Sequence, residues 1–239
     1  MPVNIEIKRE AQRRGITRLC HFTPSRNLVH IASGTSGILA TRKLQKDERT
    51  VFTATDLSRL DRHEGHISCS IEYHNAWYFD KARLADVLFR DWVVLLIHPK
   101  YLWLDGTKFC PRNAAAAFGR EIKEGAEAFM ALFADSVQGA SGYTFHRTSS
   151  HLLCCPTDEQ AEVLIPDRVP LNDILGIVAS SEEQVKNELS RFRHLGIPED
   201  RFKFIIAPTM FKKRALSTCI RSGRRPTEKL WSPGGSNDT

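Results

Sequence analysis

The 239-residue sequence has no apolar run that approaches the ~20 residues needed for a membrane-spanning helix. The N-terminal stretch MPVNIEIKREAQRRG also lacks the apolar core of a secretory signal peptide. Hydrophobic residues make up 41% of the chain and charged residues 26%, which is ordinary for a globular protein. We therefore expect a cytoplasmic protein that has no membrane partner.

No two cysteines of the sequence have the CxxC spacing of a zinc or redox motif. The six cysteines are Cys20, Cys69, Cys110, Cys154, Cys155 and Cys219. A cytoplasmic chain keeps such thiols reduced, and a structural zinc site needs closely spaced ligand pairs. We interpret the cysteines as small buried residues and expect no bound metal.

Several common nucleotide-binding and hydrolase motifs are also missing. GxGxxG, GxxxxGK[ST] and GxSxG do not occur, which argues against a Rossmann dinucleotide site, a P-loop NTPase and an α/β-hydrolase. His63 and His66 have HxxH spacing, but a zinc centre needs further ligands. A metal-dependent nuclease that uses these histidines stays open as an alternative.

Basic residues are concentrated at the two ends of the sequence. Residues 1–62 hold 12 Lys and Arg against 6 Asp and Glu, and residues 201–230 hold 9 against 1. Residues 63–200 hold 13 against 20. If the ends meet in space, they form a cationic face suited to a polyanion such as nucleic acid. A solvated surface with a basic tail explains the same counts.

Hydrophobic periodicity predicts strands and helices that alternate without a regular βαβ repeat. Predicted strands are 18–23, 66–73, 92–98, 160–165, 174–180 and 201–208. Predicted helices are 4–14, 26–33, 112–119, 120–134, 181–196 and 209–222. Residues 34–66 and 135–155 are expected to be long polar loops, which are usually functional or mobile. We predict one mixed α+β domain over residues 1–222 and a basic, flexible tail over 223–239.

The stretch CHFTPSRNL combines the end of a predicted strand with the start of a predicted helix. His21 and Thr23 share one face of the strand, and Asn27 lies just inside the helix. Polar side chains in this arrangement can bind a small polar ligand near the helix N-terminus. A buried, hydrogen-bonded structural histidine fits the pattern equally well.

The stretch PTDEQAEVLI, residues 156–165, places an acid, Glu162, within an apolar strand. An unpaired buried carboxylate is costly, so Glu162 needs a reason to be there. A carboxylate fixed in a strand can act as a general base or can stabilise developing positive charge. A salt bridge at the edge of a sheet is an equally compatible alternative.

The ordered segments LCHFTPSRNLVHI, DLSRLDRHEGHISCSIEYHNAWYF and DEQAEVLI resemble the DarT family of DNA ADP-ribosyltransferase toxins. The resemblance runs from about residue 16 to about residue 210. It implies an α+β fold with a central, split β-sheet of the ADP-ribosyltransferase type, flanked by helices. It also implies an enzyme that uses NAD+ as substrate, needs no metal, and transfers ADP-ribose to a base of single-stranded DNA.

The resemblance assigns roles to individual residues. His21, Thr23 and Asn27 correspond to the family's NAD+-contacting element, and Glu162 corresponds to its main catalytic acid. The family also has a catalytically important arginine between these elements.

The loop that holds this arginine contains Arg42, Arg49, Arg59 and Arg62. We favour Arg59, because RLD leads directly into the strand motif. Guanidinium groups also grip pyrophosphate through paired N–H donors, and we expect Arg62 to contact the cofactor in this way.

The segment ISCSIEYHNAWYF, with Asn75 and its aromatic neighbours, is closer to the family branch that modifies guanine than to the thymidine branch. The resemblance also implies the toxin of a toxin–antitoxin pair. The expected partner is a DarG-like macrodomain antitoxin with ADP-ribosylglycohydrolase activity.

The polar loop that ends at Glu162 is where ADP-ribosyltransferases place the element that recognises the acceptor. Phe145, His146 and Arg147 could stack on or hold a splayed-out base of DNA. Aromatic residues that pack onto the body of the domain are an equally good explanation. Two other functions stay open: the same transfer to RNA or protein, and a non-catalytic nucleic-acid-binding protein.

Overall fold

A computed structural model describes residues 2–46, 60–86, 90–139 and 142–233 of the chain. The strands in those residues are β1 (Leu19–Pro24), β2 (Ile38–Leu39), β3 (His66–Ile71), β4 (Trp92–Ile97), β5 (Lys108–Cys110), β6 (Lys123–Glu124), β7 (Ser136–Gln138), β8 (Thr144–His146), β9 (Glu162–Pro166), β10 (Arg168–Val169), β11 (Ile174–Ala179), β12 (Phe204–Ile206) and β13 (Lys229–Leu230). The α-helices are α1 (Ile5–Arg13), α2 (Ser25–Ser33), α3 (Thr41–Lys46), α4 (Ala76–Ala85), α5 (Gly125–Ala131), α6 (Glu182–His194) and α7 (Lys213–Arg221).

Nine of the described strands form one mixed sheet, in the order β13-β12-β11-β4-β1-β3-β9-β5-β6. β11 and β12 are parallel, and β4 is antiparallel to both of its neighbours. β4 is buried along its whole length, as its unbroken apolar run predicts, and it pairs with β1 and β11 along its two edges. α2 packs against β1 and β4, and α6 packs against β11 and β12. The predicted single, mixed α+β domain is confirmed.

The sheet opens between β1 and β3. These strands pair at only two positions, Leu19 with Ile71 and Cys20 with Ser70. Beyond Cys20, β1 continues along β4 while β3 follows β9. The later residues of β1 therefore face an opening in the described sheet, and this opening is the split that the family resemblance implies.

Glycines explain where two predicted helices differ from the structure. The predicted helix 112–119 is only a short 3₁₀ turn at Ala116–Gly119, and the predicted helix 120–134 begins late, as α5. Gly119 and Gly125 adopt φ angles of +79° and +87°, outside the right-handed helical region, and they form the last residue of the 3₁₀ turn and the first residue of α5. Each glycine therefore interrupts the helical pattern that its neighbours favour.

The two predicted polar loops contain more regular structure than expected. The described part of the first loop includes α3 and the short strand β2, which pairs with β10. The second loop contains a hairpin of β7 and β8. These strands have only two or three residues each, which is too short for an alternating pattern to be recognised.

The segment around Asn75 forms a helix that the sequence did not predict. The Asn75 side chain accepts a hydrogen bond from the backbone N–H of Tyr78 and so caps α4. Phe79 on this helix is buried and makes edge contacts with Phe22 of β1 and with Trp92 of β4. The aromatic residues of this segment therefore help to form the core.

The segment after α7 is bound to the body of the domain. β13 pairs with β12, the Arg225 guanidinium donates to the buried Glu72 carboxylate at 2.6 Å, and Arg18 forms an ion pair with Glu228. The last contact brings the two basic ends of the chain together. The expectation of a flexible tail does not hold for residues 223–233, because composition alone does not reveal that a buried glutamate elsewhere needs a cation.

The cysteines are as expected within the described residues. All six are free thiols, and five of them are buried, with Cys219 partly exposed. Among the helices that the structure describes, none is both long and apolar enough to span a bilayer.

His74 should make the protein less stable in acid. It is buried among aromatic rings, 4.9 Å from Phe79 and 5.9 Å from Phe22 between ring centroids, and neither ring nitrogen has a hydrogen-bond partner among the residues that the structure describes. Burial lowers the pKa of His74 from its usual 6.5 to about 3. Below pH 6.5 the unfolded chain therefore binds a proton that the folded chain does not. The free energy of unfolding should fall by about 1.4 kcal/mol per pH unit from this residue alone.

We expect His74→Phe to weaken this pH dependence between pH 6 and about 4, because it removes the titrating ring and keeps the aromatic packing. Urea unfolding curves of both proteins at several pH values would measure the difference. Parallel pH profiles for the two proteins would contradict the assignment.

Candidate active site

Glu162 is the first residue of β9, which lies inside the sheet between β3 and β5. It is 9% exposed. Its Oε1 accepts a hydrogen bond from the backbone N–H of Ala114 at 3.0 Å, and its Oε2 accepts one from the Ser68 hydroxyl. β9 is an interior strand, so Glu162 does not lie at an edge of the sheet. The two donors explain how the carboxylate is tolerated at this depth.

Ser68 joins Glu162 to His21. His21 Nδ1 lies 2.8 Å from the Ser68 carbonyl oxygen. A carbonyl oxygen can only accept, so Nδ1 carries the proton and, in the neutral ring, Nε2 is an acceptor. His21 follows the point at which β1 and β3 part. The two functional groups of Ser68 therefore bind one residue on each side of the split.

Thr23 and Asn27 form the next part of the same surface. Both residues are buried, and Asn27 Nδ2 donates to Thr23 Oγ1 at 3.0 Å across the junction of β1 and α2. Thr23 and His21 alternate with Phe22, whose ring packs in the aromatic core. His21 and Thr23 therefore point away from this core, on the face predicted from the sequence.

The candidate arginines lie partly outside the described structure. Arg59 falls outside the described residues. Arg62 is exposed and has a φ angle of +59°, which is uncommon for a residue other than glycine. The neighbouring Asp61 is buried, and its carbonyl oxygen lies so close to Gly119 that a Cβ there would overlap it. Arg62 is thus presented on a turn that packs against the loop leading to Gly119.

The histidine pair at 63 and 66 has no metal-binding environment within the described residues. The His63 and His66 rings pack edge to face, with 5.4 Å between centroids. No cluster of three or more His, Cys, Asp or Glu side chains in that part of the chain could hold a metal ion.

The loop between β5 and α5 donates hydrogen bonds both to Glu162 and to the β7–β8 hairpin. Cys110 is paired with Glu162 in the sheet, and Ala114 donates to the Glu162 carboxylate. Between them, the Arg112 guanidinium donates to the carbonyl oxygens of Gln138 and Gly139, at 3.3 and 3.1 Å. The residue that binds the hairpin therefore lies, in sequence, between two residues that are neighbours of Glu162.

The three predicted acceptor-binding residues have different environments. Phe145 on β8 is half-buried, with the Tyr143 ring 4.9 Å away in an edge-to-face contact. His146 is exposed. Arg147 donates to the carbonyl oxygens of Leu152 and Cys155, each at 2.8 Å, and so ties down the following loop.

Asp158 shapes the turn that leads into β9. Its Oδ1 accepts from the backbone N–H of Gln160 at 2.9 Å, and its carbonyl oxygen accepts from the backbone N–H of Ala161. Burial raises the pKa of Asp158 to about 6. Glu159 next to it forms an ion pair with Arg221 at 2.8 Å. These two acids act within the loop, whereas Glu162 belongs to the strand.

The two residues that bind Glu162 were missed by the sequence analysis. Ser68 lies in a strand in which alternate residues are polar, so it looks like an ordinary solvent-facing residue. Ala114 contributes only its backbone N–H, and no side-chain pattern can reveal that role. The proximity of Ser68 could have been suspected only by predicting that β3 and β9 are neighbours.

The polar groups assembled in this way have definite chemical capacities. A carboxylate has about four acceptor sites. It can therefore stabilise nearby positive charge and accept a proton. The imidazole and the Thr23–Asn27 pair add hydrogen-bonding groups for a polar ligand at the split.

The chain is similar to a known family over most of its length. A family model described as "DarT: ssDNA thymidine ADP-ribosyltransferase, DarT" matches residues 20–212. The matched part includes every residue of the pocket described above. No curated protein shows significant sequence similarity to the chain.

Solved structures of proteins from two organisms share the fold of this chain. Thermosipho africanus DarTG in complex with ADP-ribose is 15% identical, with a TM-score of 0.52, and the match covers 82% of this chain and 51% of that chain. Thermus sp. 2.9 DarT in complex with ADP-ribosylated ssDNA is 15% identical, with a TM-score of 0.50 and coverage of 79% and 97%. The chain thus spans about half the length of the Thermosipho protein.

Ser68 and Glu162 should be energetically coupled. Ser68→Ala removes a hydrogen bond to a carboxylate with little access to water and should lower the free energy of unfolding by about 1.5–3 kcal/mol. In a Glu162→Gln background the same substitution should cost less, because the amide replaces a charge-assisted bond by a weaker neutral one. A double-mutant cycle from urea unfolding curves would measure the coupling.

Ser181→Ala is the matched control for this cycle. The Ser181 hydroxyl accepts from the backbone N–H of Gln184 and caps α6, which packs on β11 and β12 and not on β9. Its cost should be the same with either residue at position 162. Equal costs for Ser68→Ala in both backgrounds would show that the hydroxyl does not bind the carboxylate in solution.

Proposed function

The chain belongs to the DarT family of ssDNA ADP-ribosyltransferases, and from this premise we propose that it transfers ADP-ribose from NAD+ to a base of single-stranded DNA. The observation that supports this activity most directly is the position of Glu162. It is buried at the split of the sheet and is joined through Ser68 to His21 on the opposite side. A rigid strand fixes the carboxylate better than a loop would.

In the proposed reaction, the bond between the nicotinamide nitrogen and the ribose C1 breaks, and its electron pair leaves with neutral nicotinamide. Positive charge develops on the ribose, and the Glu162 carboxylate stabilises it electrostatically. A ring or exocyclic nitrogen of the DNA base forms the new bond to C1. The proton lost from that nitrogen passes to the Glu162 carboxylate and then to solvent.

The other residues at the split would bind and orient NAD+. His21 would accept a hydrogen bond through Nε2, since its Nδ1 donates to Ser68. Thr23 and Asn27 would hold a second polar part of the dinucleotide. Arg62, exposed on its turn, would contact the diphosphate, and Arg59 is proposed as the catalytic arginine.

We assign recognition of the acceptor to the hairpin and the loop that precede Glu162. Phe145 would support a stacked base, and His146, which is exposed, would contact the strand directly. Arg147 would act by holding the loop in shape, because its guanidinium already binds backbone carbonyls. The two basic ends, joined by the Arg18–Glu228 ion pair, would attract the phosphate backbone.

Guanine is proposed as the modified base in preference to thymine. The support is the sequence of the segment around Asn75, which is closer to the guanine-modifying branch. The matching family model is described with thymidine, so the two bases need a direct comparison. We further propose that the protein acts in the cytoplasm as the toxin of a toxin–antitoxin pair. A macrodomain antitoxin that hydrolyses the ADP-ribose mark would be its partner.

A mutation at Glu162 tests the catalytic role. Glu162→Gln and Glu162→Ala should each lower the rate of ADP-ribose transfer at least ~100-fold, in the range expected for lost electrostatic stabilisation. Circular dichroism should show that both variants stay folded. Glu182→Gln is the matched control, because Glu182 is paired with Lys186 on α6, and it should retain most of the activity. Near wild-type labelling of DNA by Glu162→Ala would end the proposal.

The reaction itself can be measured with isotopically labelled NAD+ and oligonucleotides of each base composition, single- and double-stranded. Mass spectrometry of the products identifies the modified base. RNA oligonucleotides and protein extracts test the alternative acceptors. Activity that requires NAD+ and survives EDTA supports the transferase, whereas cleavage that EDTA abolishes and NAD+ does not affect would identify a metal-dependent nuclease.

A further inference from the structure

Phe118 and Tyr143 are exposed aromatic residues on segments that are hydrogen-bonded to Glu162 or to its loop. Among the described residues, three aromatic side chains are strongly exposed: Trp77 at 41%, Phe118 at 57% and Tyr143 at 65%. Phe118 belongs to the loop whose Ala114 donates to Glu162, and Tyr143 belongs to the hairpin that Arg112 of the same loop binds. Two of the three therefore lie on the segments attached to the candidate acid.

Phe118 is exposed by an unusual backbone conformation. Its φ angle is +54°, in the left-handed region that a bulky residue adopts only at an energetic cost. The next residue, Gly119, packs against the Asp61 carbonyl oxygen with no room for a side chain. The backbone directly after Phe118 is thus held in place by this contact. Such strain is found preferentially where a side chain must be presented to a ligand.

Tyr143 is exposed but held by its neighbours. Its carbonyl oxygen accepts from the Gly139 N–H at 2.8 Å, which closes the hairpin. Its ring rests edge to face on Phe145, and Phe145 packs so closely on Gly139 that a Cβ there would overlap the ring. Phe145 therefore acts as the support, and Tyr143 offers the accessible aromatic surface.

A cation lies behind the same hairpin. The Arg221 guanidinium is 5.5 Å from the centre of the Phe145 ring and is held by Glu159. Exposed aromatic rings next to arginines are the arrangement by which proteins bind single-stranded nucleic acid, since bases stack and phosphates are neutralised. In a duplex the base faces are already stacked and cannot reach such rings.

We propose that Tyr143 and Phe118 form a stacking surface for bases of the single-stranded DNA acceptor. The inference rests on the proposed function and extends it to residues that determine which acceptors bind. Tyr143 replaces Phe145 as the main aromatic contact of the hairpin. The surface also explains a preference for single strands, because stacking requires an unpaired base.

Steady-state transfer to a single-stranded oligonucleotide at saturating NAD+ tests this surface. Tyr143→Ala should raise the KM for the oligonucleotide about 5- to 150-fold, the range for loss of one stacked base, with a smaller effect on kcat. Phe118→Ala should act in the same direction. Tyr143→Trp should retain a low KM, whereas Tyr143→Leu, which keeps apolar contact with Phe145, should not. Leu195→Ala, at the residue that follows α6 and is 59% exposed, should leave the KM within twofold.

The salt dependence of the KM separates stacking from phosphate binding. For Tyr143→Ala, the plot of log KM against log salt concentration should be displaced with an unchanged slope, because no phosphate contact is lost. A KM within twofold of wild type in both alanine variants, or a reduced slope, would overturn the inference while the transferase stands. A wild-type protein that transfers nothing to any oligonucleotide would overturn the proposed function, and this inference with it.

Discussion

The candidate site depends on one residue that bridges an opening in the sheet. Ser68 uses its carbonyl oxygen to hold His21 and its hydroxyl to bind Glu162. These two partners lie on opposite sides of the split between β1 and β3. If the two strands stayed paired beyond Cys20, the Ser68 carbonyl would be used in the sheet and the opening would close. The split and the serine together thus create a polar site within the sheet.

Around this bridge, rigid and irregular segments have separate tasks. Strands β1, β3 and β9 fix the imidazole and the carboxylate, whose positions matter most for a reaction at one carbon atom. The loop after β5 adds a backbone donor and carries Phe118, and the hairpin bound to Arg112 carries Tyr143. Loops can vary without disturbing the strands, so this division allows acceptor recognition to differ between proteins of one fold.

The ends of the chain illustrate how charge and structure are combined. Glu72 is fully buried, with a φ angle of +64°, and its carboxylate accepts from the Thr17 N–H, the Thr17 hydroxyl and Arg225. Such a buried acid requires its donors, so it binds the C-terminal segment to the start of β1. The same contacts bring the two basic segments together. The requirement to satisfy one buried glutamate thus joins two segments that are rich in basic residues.

The sequence alone determined the parts that depend on local pattern. The apolar strands, the acid within one of them and the polar face of His21 and Thr23 follow from periodicity, and the family resemblance follows from the order of these segments. Helix ends at Gly119 and Gly125 were misplaced, because periodicity does not register left-handed backbone angles. The short strands of the hairpin were also too brief to show a pattern.

Only the tertiary structure decided which groups complete the site. Ser68 lies 47 residues from His21 and 94 from Glu162, and Ala114 lies 48 residues from Glu162. Partners at such separations are chosen by the order and register of strands in the sheet, which local sequence does not encode. Packing likewise decided that Tyr143 is more exposed than Phe145, because the Phe145 ring packs against Gly139. The chain specifies its chemical groups locally, and the sheet places them within hydrogen-bonding distance.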